Sequence, residues 1–187
     1  AARLFSEKGV AGTRMTDIAN AVGVRTPAVY YHFDNMGAIV EALLSYVVDE
    51  SAAFATAATA SDGSCSDRLR ALVLQHVTRL LGGPYDLWFV VGPSQASSND
   101  FPRIARQVAR WRRSVARLVD EGIAAGEFRP IDAGLAVHAV SGLVYAALQA
   151  RHDGIAVDPA QISDLSVSCL QSPDTAPPAK GTTRARS

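Results

Sequence analysis

Apolar positions recur along this chain at intervals of three and four, the spacing that lines one face of a helix. The first such stretch spans residues 12–36 and predicts two short helices packed across a turn. Ile18 and Val22 sit four apart on one, Val29 and Phe33 four apart on the next, and with Val24 they are expected to form the inward set. Ala19 is small where the two helices would cross, and Gly23 falls where the turn needs a backbone free to take positive φ. Pro27 suits the first turn of the second helix, where its missing N–H would have no intrahelical partner. The pattern predicts a helix-turn-helix.

The same spacing continues past residue 36. Residues 37–58 predict a helix built on Ile39, Leu43, Leu44, Val47 and Val48. Residues 61–64 predict a loop, with Ser66 or Asp67 capping a helix that runs to Leu81 on Leu69, Leu72, Val73, His76, Val77 and Leu80. Gly82, Gly83 and Pro84 end it. Tyr85 to Val91 is too short for its pattern to separate strand from helix; the helical surroundings favour a short helix, broken by Gly92 and Pro93. Asp100 is the expected cap of a long helix reaching about Ala125. Ile104, Val108, Trp111, Val115, Leu118 and Gly122 line its apolar face, and Arg103, Arg106, Arg110, Arg113 and Arg117 form a stripe of the same period. That stripe fits a solvated face or intersubunit ion pairs better than a second nucleic-acid site. Residues 132–151 are apolar nearly all round, and such a helix must be covered on most sides. In so small a chain this points to a subunit partner, with Gly134, Ala139, Gly142 and Ala146 allowing a neighbouring helix to approach closely. A shorter helix, about Pro159 to Leu170, adds Ile162, Leu165 and Cys169. Residues 172–187 lack apolar periodicity and predict a disordered tail. The fold class is all-α.

Composition changes this picture little. Of the 187 residues, 48% are hydrophobic and 19% charged, a foldable balance. The first 45 or so residues are too few to bury a robust core alone and are expected to lean on the later helices, through the one that starts near Asn35. No uninterrupted apolar run of bilayer length and no signal-peptide pattern stand out, so no membrane partner is expected. The chain starts without Met inside the expected first helix, so residues upstream, with any basic arm, are expected to be absent. Cys65 and Cys169 are isolated, fit a reducing cytoplasm and read as ordinary small residues.

The second short helix is expected to turn Arg25, Thr26, Pro27, Tyr30 and Tyr31 outward, with His32 near the rim. Such a surface suits phosphate and base-edge contact in a major groove. Taken alone, the periodicity fits equally well a helical hairpin whose tyrosines cover core. Charge does not decide between them: the whole chain is neutral, and residues 1–36 carry one net positive charge. Specific contacts and dimerisation would have to supply affinity for DNA.

The stretch from Leu4 to about Leu44 resembles the DNA-binding domain of the tetracycline-repressor (TetR) family. The matching residues are Ala2-Arg3-Leu4-Phe5, Lys8-Gly9-Val10, Gly12-Thr13, Asp17-Ile18-Ala19, Gly23-Val24, Pro27 and Val29-Tyr30-Tyr31-His32-Phe33. The resemblance implies a three-helix DNA-binding domain over 1–45, a helical effector-binding and dimerisation domain over 46–171, and a homodimer whose last two helices pair with their counterparts. It implies groove and flanking contacts from Arg25, Thr26, Pro27, Tyr31 and His32, and phosphate contacts from Arg14, Tyr30 and Asn35. Two positions depart from the family. Arg14 stands where Ser or Thr usually caps the first motif helix, so Thr13 is expected to take over the cap. Met36 stands where a lysine usually meets phosphate, so salt dependence should be shallower, with Arg14 partly restoring the charge.

Polar residues inside apolar helices mark a candidate ligand site. His138, Ser141, Tyr145 and Gln149 recur along the penultimate helix, and His76 sits among leucines and valines. Trp88, Phe89, Gln95 and Trp111 lie on elements that the family uses to wall its effector cavity. Each has an ordinary reading as a satisfied core or interface side chain; together they fit an apolar pocket with a few directed polar groups. The expected effector is a small, largely apolar molecule. No nucleophile–base pair, carboxylate pair, metal-ligand spacing or phosphate loop appears, so no catalytic residue, cofactor or metal site is expected. The expected function is a cytoplasmic, ligand-responsive repressor of a near-palindromic operator on double-stranded DNA. The rival is a helical ligand-binding or interaction module that does not bind DNA.

Overall fold

The computed structural model describes residues 1–82 and 101–172. Trp88, Phe89 and Gln95, the short element expected at Tyr85 to Val91, and the tail beyond Ser172 lie outside the described residues. Among those described, the chain forms α1 (Ala2–Lys8), α2 (Met15–Val22), α3 (Thr26–His32), α4 (Met36–Ala60), α5 (Cys65–Gly82), α6 (Pro102–Ala124), α7 (Ala133–His152) and α8 (Pro159–Ser168). One isolated antiparallel bridge, Phe128 to Gln171, ties the turn after α6 to the end of α8.

Two cores hold the helices together. The smaller gathers Leu4, Phe5, Ile18, Ala19, Val29 and Leu44, but also Val48 from farther along α4 and Ile104 from α6. Phe101 and Val108 pack against it too. The first three helices therefore close over the start of α6 as well as over α4. A boundary between 45 and 46 falls in the middle of α4, which runs through it unbroken. The larger core collects the inward faces of α5, α6, α7 and α8 with the end of α4.

Several local expectations change. Val22 and Val24 are not inward: they are 59% and 43% exposed. Helix α2 buries Met15, Ile18 and Ala19, the first helical stripe, and ends at Gly23 in the left-handed region, φ 72°. Val22 and Val24 flank that turn, beyond the residues that cover the crossing. Thr13 does not cap α2. Its hydroxyl is buried and donates back to the Gly9 carbonyl at 2.8 Å, while the Asp17 carboxylate accepts from the Arg14 N–H at 2.9 Å. Helix α5 begins two to three residues earlier than expected: Ser64, not Ser66 or Asp67, caps it by accepting from the Asp67 N–H at 3.0 Å. The residue capping α6 is Phe101, and Asp100 lies outside the described residues.

The arginine stripe of α6 is exposed and partly laced to its own chain. Arg103 pairs with Asp49, its N–H meets the Glu41 carboxylate, and Arg110 donates to Thr56. Helix α7, 20 residues long and holding an 18-residue window with a mean hydropathy of 1.4, is long and apolar enough by length and composition to cross a membrane, which corrects the reading that no such run exists. It is nevertheless a helix with two faces. Ala136, Val137, Val140, Val144, Ala147 and Leu148 enter the core, while Leu135, Ala139, Gly142 and Ala146 face outward.

Candidate nucleic-acid interface and ligand cavity

Helix α3 is held by one residue. Val29 is its only buried side chain, pressed into the smaller core, and apart from the half-buried Thr26 the rest of the helix is exposed. Arg25 caps it in extended conformation and Pro27 occupies its first turn, as expected. Arg25, Pro27, Tyr30 and His32 are exposed, Thr26 is half-buried, and Tyr31 is 85% exposed. The Tyr31 and His32 rings meet edge to face, centroids 5.1 Å apart. A tyrosine so exposed covers no core, which removes the plain-hairpin explanation of that residue. Arg14, at the start of α2, is exposed on the same unit. Asn35 caps α4, its carbonyl accepting from the Ala38 N–H at 3.0 Å, which leaves its amide N–H₂ for other contacts. Met36 packs on the smaller core, so this position has apolar work in place of a charge. Val22 and Val24 add an exposed apolar margin beside α3. Sequence reasoning missed these two because their spacing also matched an inward stripe.

The second feature is a cavity of about 90 Å³ among α4, α5, α6 and α7. His76, Trp111, Ser141 and Tyr145 line it, as the sequence suggested, and so do Ser51, Gln107 and Arg112, which it did not. The His76 and Trp111 rings stack with centroids 4.7 Å apart, tilted by 32°. Burial pushes the His76 imidazole down to about 4, so it is neutral at neutral pH. Ser51 Oγ, His76 Nδ1, Trp111 Nε1 and Ser141 Oγ are all buried without a hydrogen-bond partner in the described structure. Each comes from a different helix. A buried polar group left unmatched costs about 1–3 kcal/mol, so four around one space mark a site built to be filled.

His138 is not part of it. The side chain is exposed on the outer face of α7. His138 lies seven residues before Tyr145, about 10 Å away along the helix axis, and is not among the side chains that line the cavity. Gln149 also lies off the cavity and donates to Asp153. No cluster of metal-ligating side chains occurs among the described residues. Cys65 and Cys169 are free, and burial pushes both thiols up, away from thiolate.

The architecture has relatives. Residues 1–43 match the model of bacterial regulatory proteins of the tetR family, and residues 62–149 match the tetracyclin repressor-like C-terminal domain. The chain belongs to the tetR family. Among curated members, the tetR-family regulator IcaR of Staphylococcus aureus, a negative transcriptional regulator of the biofilm operon icaADBC, is 50% identical over 38 residues, 20% of each chain. This family member thus spans a fifth of the length of that relative in the match. AmtR of Mycobacterium smegmatis has a similar structure, TM-score 0.77 at 26% identity, over 89% of this chain and 80% of that one. AibR, solved with isovaleryl coenzyme A and operator DNA, shares the fold at TM-score 0.73 and 20% identity, over 91% and 93% of the two chains.

Proposed function

We propose that this tetR-family regulator is a dimeric transcriptional repressor acting in the cytoplasm, released from a near-palindromic operator when a small, largely apolar molecule enters the cavity. One observation carries the DNA-binding half: α3 keeps a single buried residue and exposes Arg25, Pro27, Tyr30, Tyr31 and His32 together. Each subunit would lay that helix in a major groove, with Arg14, Thr26 and Asn35 at flanking phosphates. A helix-turn-helix dimer reads half-sites about one or more DNA turns apart, which makes the operator two-fold symmetric. The outward face of α7, with Leu135 at 61% exposure beside Ala139, Gly142 and Ala146, and Leu165 of α8 at 54%, supports the pairing of these two helices with a second copy.

The route between the sites is short. Val48 and Val108 wall the cavity, and Val48 belongs to the smaller core while Val108 packs on it. A ligand that moves either residue acts on the packing beneath α3. It shifts operator affinity only by the difference in its own affinity for the two conformations, for which about 1–3 kcal/mol is typical.

Selection of bound sequences from random duplex DNA tests the reading with the full-length dimer. A symmetric consensus is expected, and Tyr31→Ala should lose it while circular dichroism and sedimentation stay unchanged. A protein that prefers no duplex site over random sequence, yet still binds small molecules, is instead a ligand-binding module.

A further inference from the structure

The cavity lining says what kind of small molecule it accepts. Of the four unpartnered buried polar atoms, Trp111 Nε1 can only donate, and the two serine hydroxyls and the neutral imidazole can each donate. Arg112 also lines the cavity and is half-buried, with no ion-pair or hydrogen-bond partner among the described residues. No aspartate or glutamate among the described residues lines it. Within the described residues the space therefore carries one uncompensated positive charge and a surplus of donors, against walls of Val48, Leu80, Val108, Val144 and Leu148. His76 contributes no second charge, because burial keeps it neutral. About 90 Å³ is far below the ~300–1,000 Å³ of pockets for drug-sized ligands, so the occupant is compact.

Resting on the proposed effector role of this cavity, we propose that the ligand class is a compact apolar monocarboxylic acid. One ring or short branched chain lies against the valines and leucines, and its carboxylate meets the Arg112 guanidinium with Trp111 and serine donors nearby. Guanidinium matches a carboxylate in a paired, planar geometry that a neutral amide cannot supply. A phosphorylated ligand would bring more negative charge than this lining answers.

The test uses calorimetry and thermal shift on the full-length dimer with benzoate and cyclohexanecarboxylate against their neutral amides. Both acids are expected to bind at least ten-fold more tightly than the matching amides. Arg112→Gln should erase that ratio while circular dichroism stays unchanged, and Arg112→Lys, which keeps the charge without the fork, should restore part of it. Equal binding of acid and amide, or an acid preference that survives Arg112→Gln, overturns the acid assignment and leaves the effector cavity standing. If neither acids nor amides bind the wild-type dimer, both the acid class and the cavity reading fall.

Discussion

His76 is a histidine that burial keeps unprotonated, with its ring stacked on Trp111. In the unfolded chain the group takes up a proton near pH 6.5, whereas in the folded chain it does so only at about 4. Between those values the unfolded state binds more protons, so stability rises with pH across that window and is level above it, with a slope of up to ~1.4 kcal/mol per pH unit. Among the described residues, Arg112 and Tyr145 are the other ionisable side chains that line the cavity. The expected result is a melting temperature that falls between pH 7 and pH 5, with His76→Gln flattening the fall. Gly122 matters for a different reason. A Cβ at this position would collide with the Phe128 ring, which is buried and has nowhere to go. Gly122→Ala should therefore cost about 1–3 kcal/mol in urea denaturation, although alanine is ordinarily the better helix former. The apolar period of α6 named Gly122 as an inward residue, but its ring partner lies beyond the helix end, where periodicity says nothing.

Helix α5 illustrates capping from a distance. Besides Ser64, its first N–H groups are met by Glu127, whose two carboxylate oxygens accept from Cys65 and Ser66 at 2.9 Å each. Burial pushes this carboxyl up, yet the Ser66 and Cys65 N–H groups outweigh it and hold Glu127 below its ordinary value. Stability from that contact is present above the unfolded value of 4.5 and is lost as pH falls through the folded one, a window lying mostly below that of His76. Glu127→Gln keeps the shape and loses the charge against the helix N-terminus; it should cost about 1 kcal/mol at pH 7, measured by chemical denaturation, and less at pH 3. Helix existence was legible in the sequence because apolar spacing and end signals are local: Gly23 and Pro27 act where the sequence analysis placed them. The capping of α5 was not, since its partner stands 61 and 62 residues away. The same limit misassigned Val22 and Val24, whose spacing is helical but whose covering neighbours end one turn too soon.

At the scale of the whole molecule, the reading unit is a shared structure. Ile104, fully buried, is carried by α6 into the core beneath α2 and α3. Ile104→Ala should cost about 2–5 kcal/mol by leaving a void there. It should also weaken operator binding measured by anisotropy, although the residue is nowhere near the exposed face of α3. Residues 1–45 expressed alone would lack Val48, Phe101, Ile104 and Val108, and circular dichroism should show them largely unfolded. By itself the sequence determined the described helices, the turn at Gly23, the exposed tyrosine-bearing surface of α3 and the family, because periodicity, end signals and family motifs are written within a few dozen neighbouring residues. Only the tertiary structure decided that Ser51, His76, Trp111, Arg112 and Ser141 share one cavity, that His138 lies outside it, and that α6 closes the core under α3. Those facts depend on how helices far apart in the chain cross one another, and a helix's own residues specify which of its faces is apolar without naming what will cover it.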